Sequence, residues 1–159
     1  MCRLVIGLAA LLVLDGCGGS SPTAPTPGAT ELAAAPTAVT VAGKSLKLET
    51  FLWRDFMPVA PPDGQPLLAS LQVRTADGSD VPATVRADMV WVLNGSETWS
   101  VVPREEKSRS NTAPYYEVIA RDGPKWGPGI TVDVVVRLRD AEERAFLLRA
   151  PGQMIHRTD

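Results

Sequence analysis

The chain is short of cysteine and histidine, and these two shortages exclude much of the familiar chemistry of protein sites. Its two cysteines, Cys2 and Cys17, both lie in the first seventeen residues. Nothing after Cys17 can form a disulfide or a thiolate metal site, so a domain built from the rest must stand on its own apolar core. The single histidine, His156, lies near the carboxyl end in what reads as a frayed tail, with only Asp159 close by as an acid-base partner. Zinc centres of His and Cys, and Ser-His-Asp or Cys-His catalysis, are therefore not expected, and no cofactor is implied. There is no charge excess either. A formal net charge of −2 over 159 residues gives no electrostatic case for nucleic acid or an acidic membrane surface. The leading apolar run, Leu4 to Leu14, has eleven residues, against the roughly twenty of a membrane-spanning helix. Beyond it no window carries a convincing stripe of 3.6-residue period.

That run, preceded by Arg3, has the proportions of a signal peptide. It ends in Leu14-Asp15-Gly16-Cys17. This resembles the bacterial lipobox, with Leu14, Gly16 and Cys17 in place and Asp15 where a small neutral residue is usual. The resemblance to bacterial lipoproteins implies that residues 1–16 are removed and that Cys17 carries the lipid, so membrane lipid is the first partner. Two or more acyl chains make a stable anchor. Gly18 after the cysteine resembles the outer-membrane sorting default. The expected location is the bacterial cell envelope, lipid-anchored, on the outer membrane or periplasmic face.

Gly18 to Gly43 contains one charge, Glu31, and otherwise little but Pro, Gly, Ser, Thr and Ala. Such a composition buries too little apolar area to offset its ordering entropy, so residues 17–43 read as a lipidated cysteine followed by a disordered tether. Residues 44–159 form the domain. Seven short runs alternate apolar and polar residues between turn signals: Ser45–Phe56, Pro66–Thr75, Val85–Leu93, Glu97–Val102, Tyr115–Arg121, Ile130–Arg139 and Arg144–Ala150. Period-2 alternation and β-branched enrichment predict an all-β fold. Three features, Thr75 to Gly78 (TADG), a third strand bearing Trp91 and a Pro128-Gly129 turn before the Val132 to Asp140 strand (VDVVVRLRD), resemble bacterial immunoglobulin-like domains. The resemblance implies a seven-stranded antiparallel immunoglobulin-like sandwich, without the inter-sheet disulfide and without a tyrosine in the penultimate strand.

In that arrangement the loops after strands two, four and six meet at one end and bring Asp77, Asp80, Glu105, Glu106, Asp140, Glu142 and Glu143 together. Seven carboxylates make a calcium-dependent or enzymatic domain the alternative reading, although no DxDxDG spacing is present. Trp53, Trp126, Tyr115 and Tyr116 are candidates for stacking on sugars, against the commoner role of packing. Trp126, in the rigid GPKWGPG run, is expected to plug one end of the sandwich. Asn94-Gly95 reads as a two-residue hairpin turn with Leu93 opposite Ser96. Alternation from there puts Ala87, Met89, Trp91 and Leu93 on the core face and Val90, Val92, Trp99 and Val101 on the other. Val90, Trp99 and Val101 are then the candidate docking patch. The leading expectation is a non-catalytic binding or structural module whose partner is an envelope protein, a glycan or a second copy.

Overall fold

Alternating sequence makes sheet wherever one face can be buried, and here it does so with little deviation. A computed structural model describes residues 26–106 and 114–159. The leader, Cys17 and Lys107 and Arg109 of the acidic loop lie outside the described residues. The elements are α1 (Ala29–Ala33), β1 (Val39–Val41), β2 (Lys44–Asp55), β3 (Leu67–Thr75), β4 (Arg86–Asn94), β5 (Glu97–Val101), β6 (Tyr115–Gly123), β7 (Thr131–Arg139) and β8 (Ala145–Thr158). The fold is all-β. In β3 every second residue, from Leu67 to Thr75, is buried, as period-2 geometry requires of a strand with one face on the core.

The strands form one curled, mixed sheet in the order β5-β4-β7-β8-β2-β3-β6, with β1 added on β2. All pairs are antiparallel except β2 with β8, which run parallel from Leu52↔Ile155 to Asp55↔Thr158. The expectation of seven antiparallel strands is thus corrected to eight strands with one parallel pair. The curl depends on β8. Its first part pairs with β7, and its last residues leave β7 for β2. Between Val132↔Gln153 and Val134↔Ala150 the register slips by one residue on β8, at Pro151-Gly152, where Gly152 has φ +64°. This is a β-bulge: the extra residue bends the strand, and proline and glycine suit it because one donates no ladder hydrogen bond and the other accepts positive φ. Pro151-Gly152 reads in sequence as the end of a strand. The chain instead continues through it, and His156, expected in a frayed tail, lies in β8 opposite Trp53.

One apolar cluster fills the inside of the curl. Leu46, Leu52, Leu67, Leu71 and Val118 come from the β2-β3-β6 half, and Val90, Val92, Val134, Leu138 and Leu148 from the β5-β4-β7-β8 half. A second, smaller cluster lies on the opposite face of β4 and β7, where Trp91 and Val135 pack under Leu32 and Ala35, flanked by Met89, Leu93 and Leu147. Residues 26–43, which composition assigns to a disordered tether, are thus ordered. Thr26 to Pro36 forms a strap over the outer face of β4-β7-β8, and Val39–Val41 pairs with β2 through an Ala42-Gly43 turn. A five-residue helix cannot hold itself in water, and α1 has no side-chain cap at Gly28. Burial of Leu32 fixes it, worth about 1.5–3 kcal/mol. The Arg149 amide adds a hydrogen bond to the Pro36 carbonyl at 2.8 Å, and the Arg149 guanidinium one to the Ala33 carbonyl.

The strap reverses the expected faces of β4. The β4–β5 register is Asn94↔Glu97, Leu93↔Thr98, Val92↔Trp99 and Val90↔Val101. Gly95 and Ser96 are the turn, and of the two only Gly95 has positive φ, +60°, as a type II′ turn with glycine first requires. A slip between Ala87 and Met89 in the pairing with β7 then shifts the alternation. Ala87 packs against the main core, whereas Met89, Trp91 and Leu93 belong to the cluster under the strap.

Candidate functional site

The docking patch predicted from Val90, Trp99 and Val101 is turned inward. Val90 is fully buried, and Trp99 and Val101 pack against the main core. The Trp99 ring lies on Gly123 of β6, so closely that a Cβ there would come within 2.8 Å of it. Trp99 therefore closes the gap between the two end strands of the curl, and the chain beyond β5 pairs with β6 through the Arg104↔Ile119 bridge.

The acidic loops are also arranged differently from the expectation. Asp77 accepts from Ser79 and Lys44, and these contacts, the Ser79 hydroxyl first, hold its carboxyl well below the usual range. Glu106 takes both arms of the Arg121 guanidinium, at 2.5 and 2.8 Å. Glu143 pairs with Arg86 and Glu142 with Arg144. Asp140 is buried inside its own turn, accepting the amides of Glu142 and Arg144 and the Arg144 guanidinium. Burial alone would raise its pKa; these hydrogen bonds outweigh burial and lower it. Asp80 and Glu105 are exposed. Among the described residues no three carboxylate, histidine or cysteine side chains are grouped so as to hold a metal ion.

The surface feature that does emerge lies on the outer face of β2-β3-β6. Three adjoining hollows share lining residues: Phe51, Ser70 and Gln72 between the first pair, Trp53 and Arg121 between the second. Together they make a trough along β3, and the middle hollow holds about 480 Å³. The register explains it. Cross-strand rows run Glu49–Gln72–Glu117 and Phe51–Ser70–Ile119, with Trp53 opposite Leu68. β3 contributes the small or narrow side chains, and β2 and β6 the taller ones on either side. From Glu49 to Asp55 the trough is about 20 Å long at strand spacing.

One wall is aromatic. Phe51 is 48 % exposed and stacks on Trp53 at 5.5 Å and on His156 at 4.9 Å between ring centroids. The floor and the other wall are polar. Ser70 Oγ donates to Glu117 Oε1 at 2.6 Å, and Gln72 Nε2 donates to the same oxygen at 3.1 Å. At the far end Arg54, 3 % exposed, donates to the carbonyls of Gln65, Lys125, Gly127 and Asp63 and faces the Phe56 ring. A buried guanidinium saturated by carbonyls ties the loops before β3 and after β6 to β2, fixing that end of the trough.

Of the aromatics singled out in the sequence, only Trp53 reaches this surface as part of the trough lining. Tyr116 is buried, with its hydroxyl accepting the Ala87 amide at 3.1 Å. Tyr115 lies under the Arg74 guanidinium, and Trp126 packs on the main core. Phe51 and His156 were missed. The signal for Phe51 was present: if Leu46, Leu48 and Leu52 face inward, then Lys47, Glu49, Phe51 and Trp53 share the outward face. Among the described residues no helix is long and apolar enough to cross a membrane. Compared with known proteins, the chain matches no family model, no curated protein and no solved structure, so its functional reading rests on this geometry.

Proposed function

We propose that this chain is a lipid-anchored protein of the bacterial cell envelope, held through Cys17, whose all-β domain is a non-catalytic binding module with the β2-β3-β6 trough as its contact surface. We also read the curled sheet as a variant of the immunoglobulin-like sandwich. The separation into a β2-β3-β6 half and a β5-β4-β7-β8 half around one core supports this reading. The observation that carries the functional proposal is the aromatic wall, which none of the described residues covers. The outer face of β4-β7-β8 is also apolar, but the chain covers it with its own strap. The outer face of β2-β3-β6 keeps Phe51 exposed with two rings stacked beside it, an arrangement that adds little to folding and suits a partner.

Anchoring and contact are tested separately. Cys17→Ser is expected to turn a detergent-extracted membrane protein into one released without detergent, and unchanged extraction would defeat the anchoring half. For contact, Ser70→Cys places a thiol on the trough floor, and Val59→Cys places one at an exposed site outside the lining. In intact envelopes, maleimide should label Ser70→Cys several-fold more slowly than in purified protein, while Val59→Cys labels equally in both. Equal labelling of both sites in both preparations would overturn the trough as the contact surface.

A further inference from the structure

Building on the trough as the contact surface, we infer that its ligand is an uncharged glycan chain. Three features of the surface select that chemistry. First, the lining interleaves ring surfaces with hydrogen-bonding groups across single strand spacings: Phe51 opposite Ser70, and Gln72 beside Glu117. A sugar chain has the complementary alternation of C–H faces and hydroxyls. Second, the lining is acidic: of Glu49, Asp55, Glu106, Glu117 and Asp122, Glu49 pairs with Arg74 at the border and Glu106 with Arg121, and Asp55, Glu117 and Asp122 leave the surface net negative. Ionised carboxylates are strong acceptors for hydroxyl donors, whereas a polymer carrying carboxylate, sulfate or phosphate would be repelled. Third, β3 is paired on both sides, to β2 and to β6, so the trough floor offers no free backbone ladder. That removes strand addition, the mode by which extended peptides pair with free sheet edges. A glycan carries its hydrogen-bonding groups on hydroxyls and needs none. The length of about 20 Å suits a chain rather than a single sugar.

The test is affinity electrophoresis of the full chain in detergent through gels containing dextran, hydroxyethylcellulose or chitohexaose, with alginate as the anionic probe and poly-lysine as the cationic one. Retardation by at least one neutral probe and none by alginate is expected. Phe51→Ala and Trp53→Ala should each weaken that retardation at least tenfold. Val102→Ala, an exposed apolar residue outside the lining, should leave it unchanged, as should the melting temperature of all three variants. A loss of melting temperature in the Phe51 variant shifts the comparison to Gln72→Ala, for which the same tenfold loss is expected. No retardation by any neutral probe, or retardation indifferent to the trough variants, overturns the glycan. Retardation by poly-lysine alone, abolished by Phe51→Ala, also overturns the glycan but leaves the trough standing as the contact surface.

Discussion

Glu143 has φ +61°, a backbone region that favours glycine, at the end of the turn Asp140–Glu143. Its side chain pairs with Arg86 across the surface, with both partners about half exposed, so the pair contributes little. Glu143→Gly should relieve the backbone and stabilise the domain by up to about 1 kcal/mol, read as a shift in the urea midpoint; a clear loss would mean the surface pair outweighs the strain. Trp99 presents the opposite case. Its ring fills the space over Gly123, and Trp99→Ala should cost about 2–3 kcal/mol without altering the association state seen by light scattering. A dissociated assembly with unchanged melting would return Trp99 to the surface. The two residues also show what a single sequence conceals. The turn at Asp140 is legible as the short polar gap between two alternating runs, Ile130–Arg139 and Arg144–Ala150. The choice between Asn94-Gly95 and Gly95-Ser96 as the turn moves the pairing by two residues and leaves Trp99 on the Val90 and Val92 side of β4 either way; what the sequence conceals is which of the two faces is the interior.

At the scale of elements, each of the seven alternating runs became a strand, with starts within a residue or two of those read from the sequence. What alternation cannot supply is the cover on a second apolar face. β4 is apolar on both sides, Val90 and Val92 on one, Met89, Trp91 and Leu93 on the other. Large side chains are more often core, so the sequence favours the Trp91 face as the interior. The strap that buries it is an Ala-, Pro- and Thr-rich segment whose only large apolar residue in contact is Leu32. Its composition gives no warning because its order comes from docking and not from propensity. Leu32→Ala should therefore cost about 2 kcal/mol and speed hydrogen exchange selectively across residues 29–38, while β3 amides exchange as before. Uniform acceleration would mean that the strap and sheet open together. The trough escaped notice for a related reason. Phe51 was visible as an outward residue, but His156 joins it only because β8 continues through Pro151-Gly152 and changes partners, a consequence of a bulge.

For the molecule as a whole, several carboxylates with lowered pKa link stability to acidity, among them Asp77 on the surface and the less exposed Asp88 and Asp140. Burial would raise the pKa of Asp88, but hydrogen bonds from Arg137 and Arg139, at 2.7 and 2.8 Å, prevail and hold it below the ordinary range; Asp140 is lowered in the same way inside its turn. A carboxyl whose folded pKa lies below its unfolded value of about 4 contributes fully above that value and loses its contribution as pH falls through it toward the folded one. The melting temperature should be level from pH 7 to about 5 and fall below about 4, and Asp88→Asn should flatten part of that fall. An unchanged acid limb in the variant would remove Asp88 from the account. The strap has one more consequence. Eight residues lie between Cys17 and Thr26, and a chain of that length reaches at most about 30 Å however it is drawn out. With the lipid at Cys17, the domain works on a short leash whose fixed end leaves from the β4-β7-β8 side. The trough lies on the other half of the curl, so an anchor at Cys17 would hold it from the opposite side of the domain, and the docking of Leu32 would set how far it could reach.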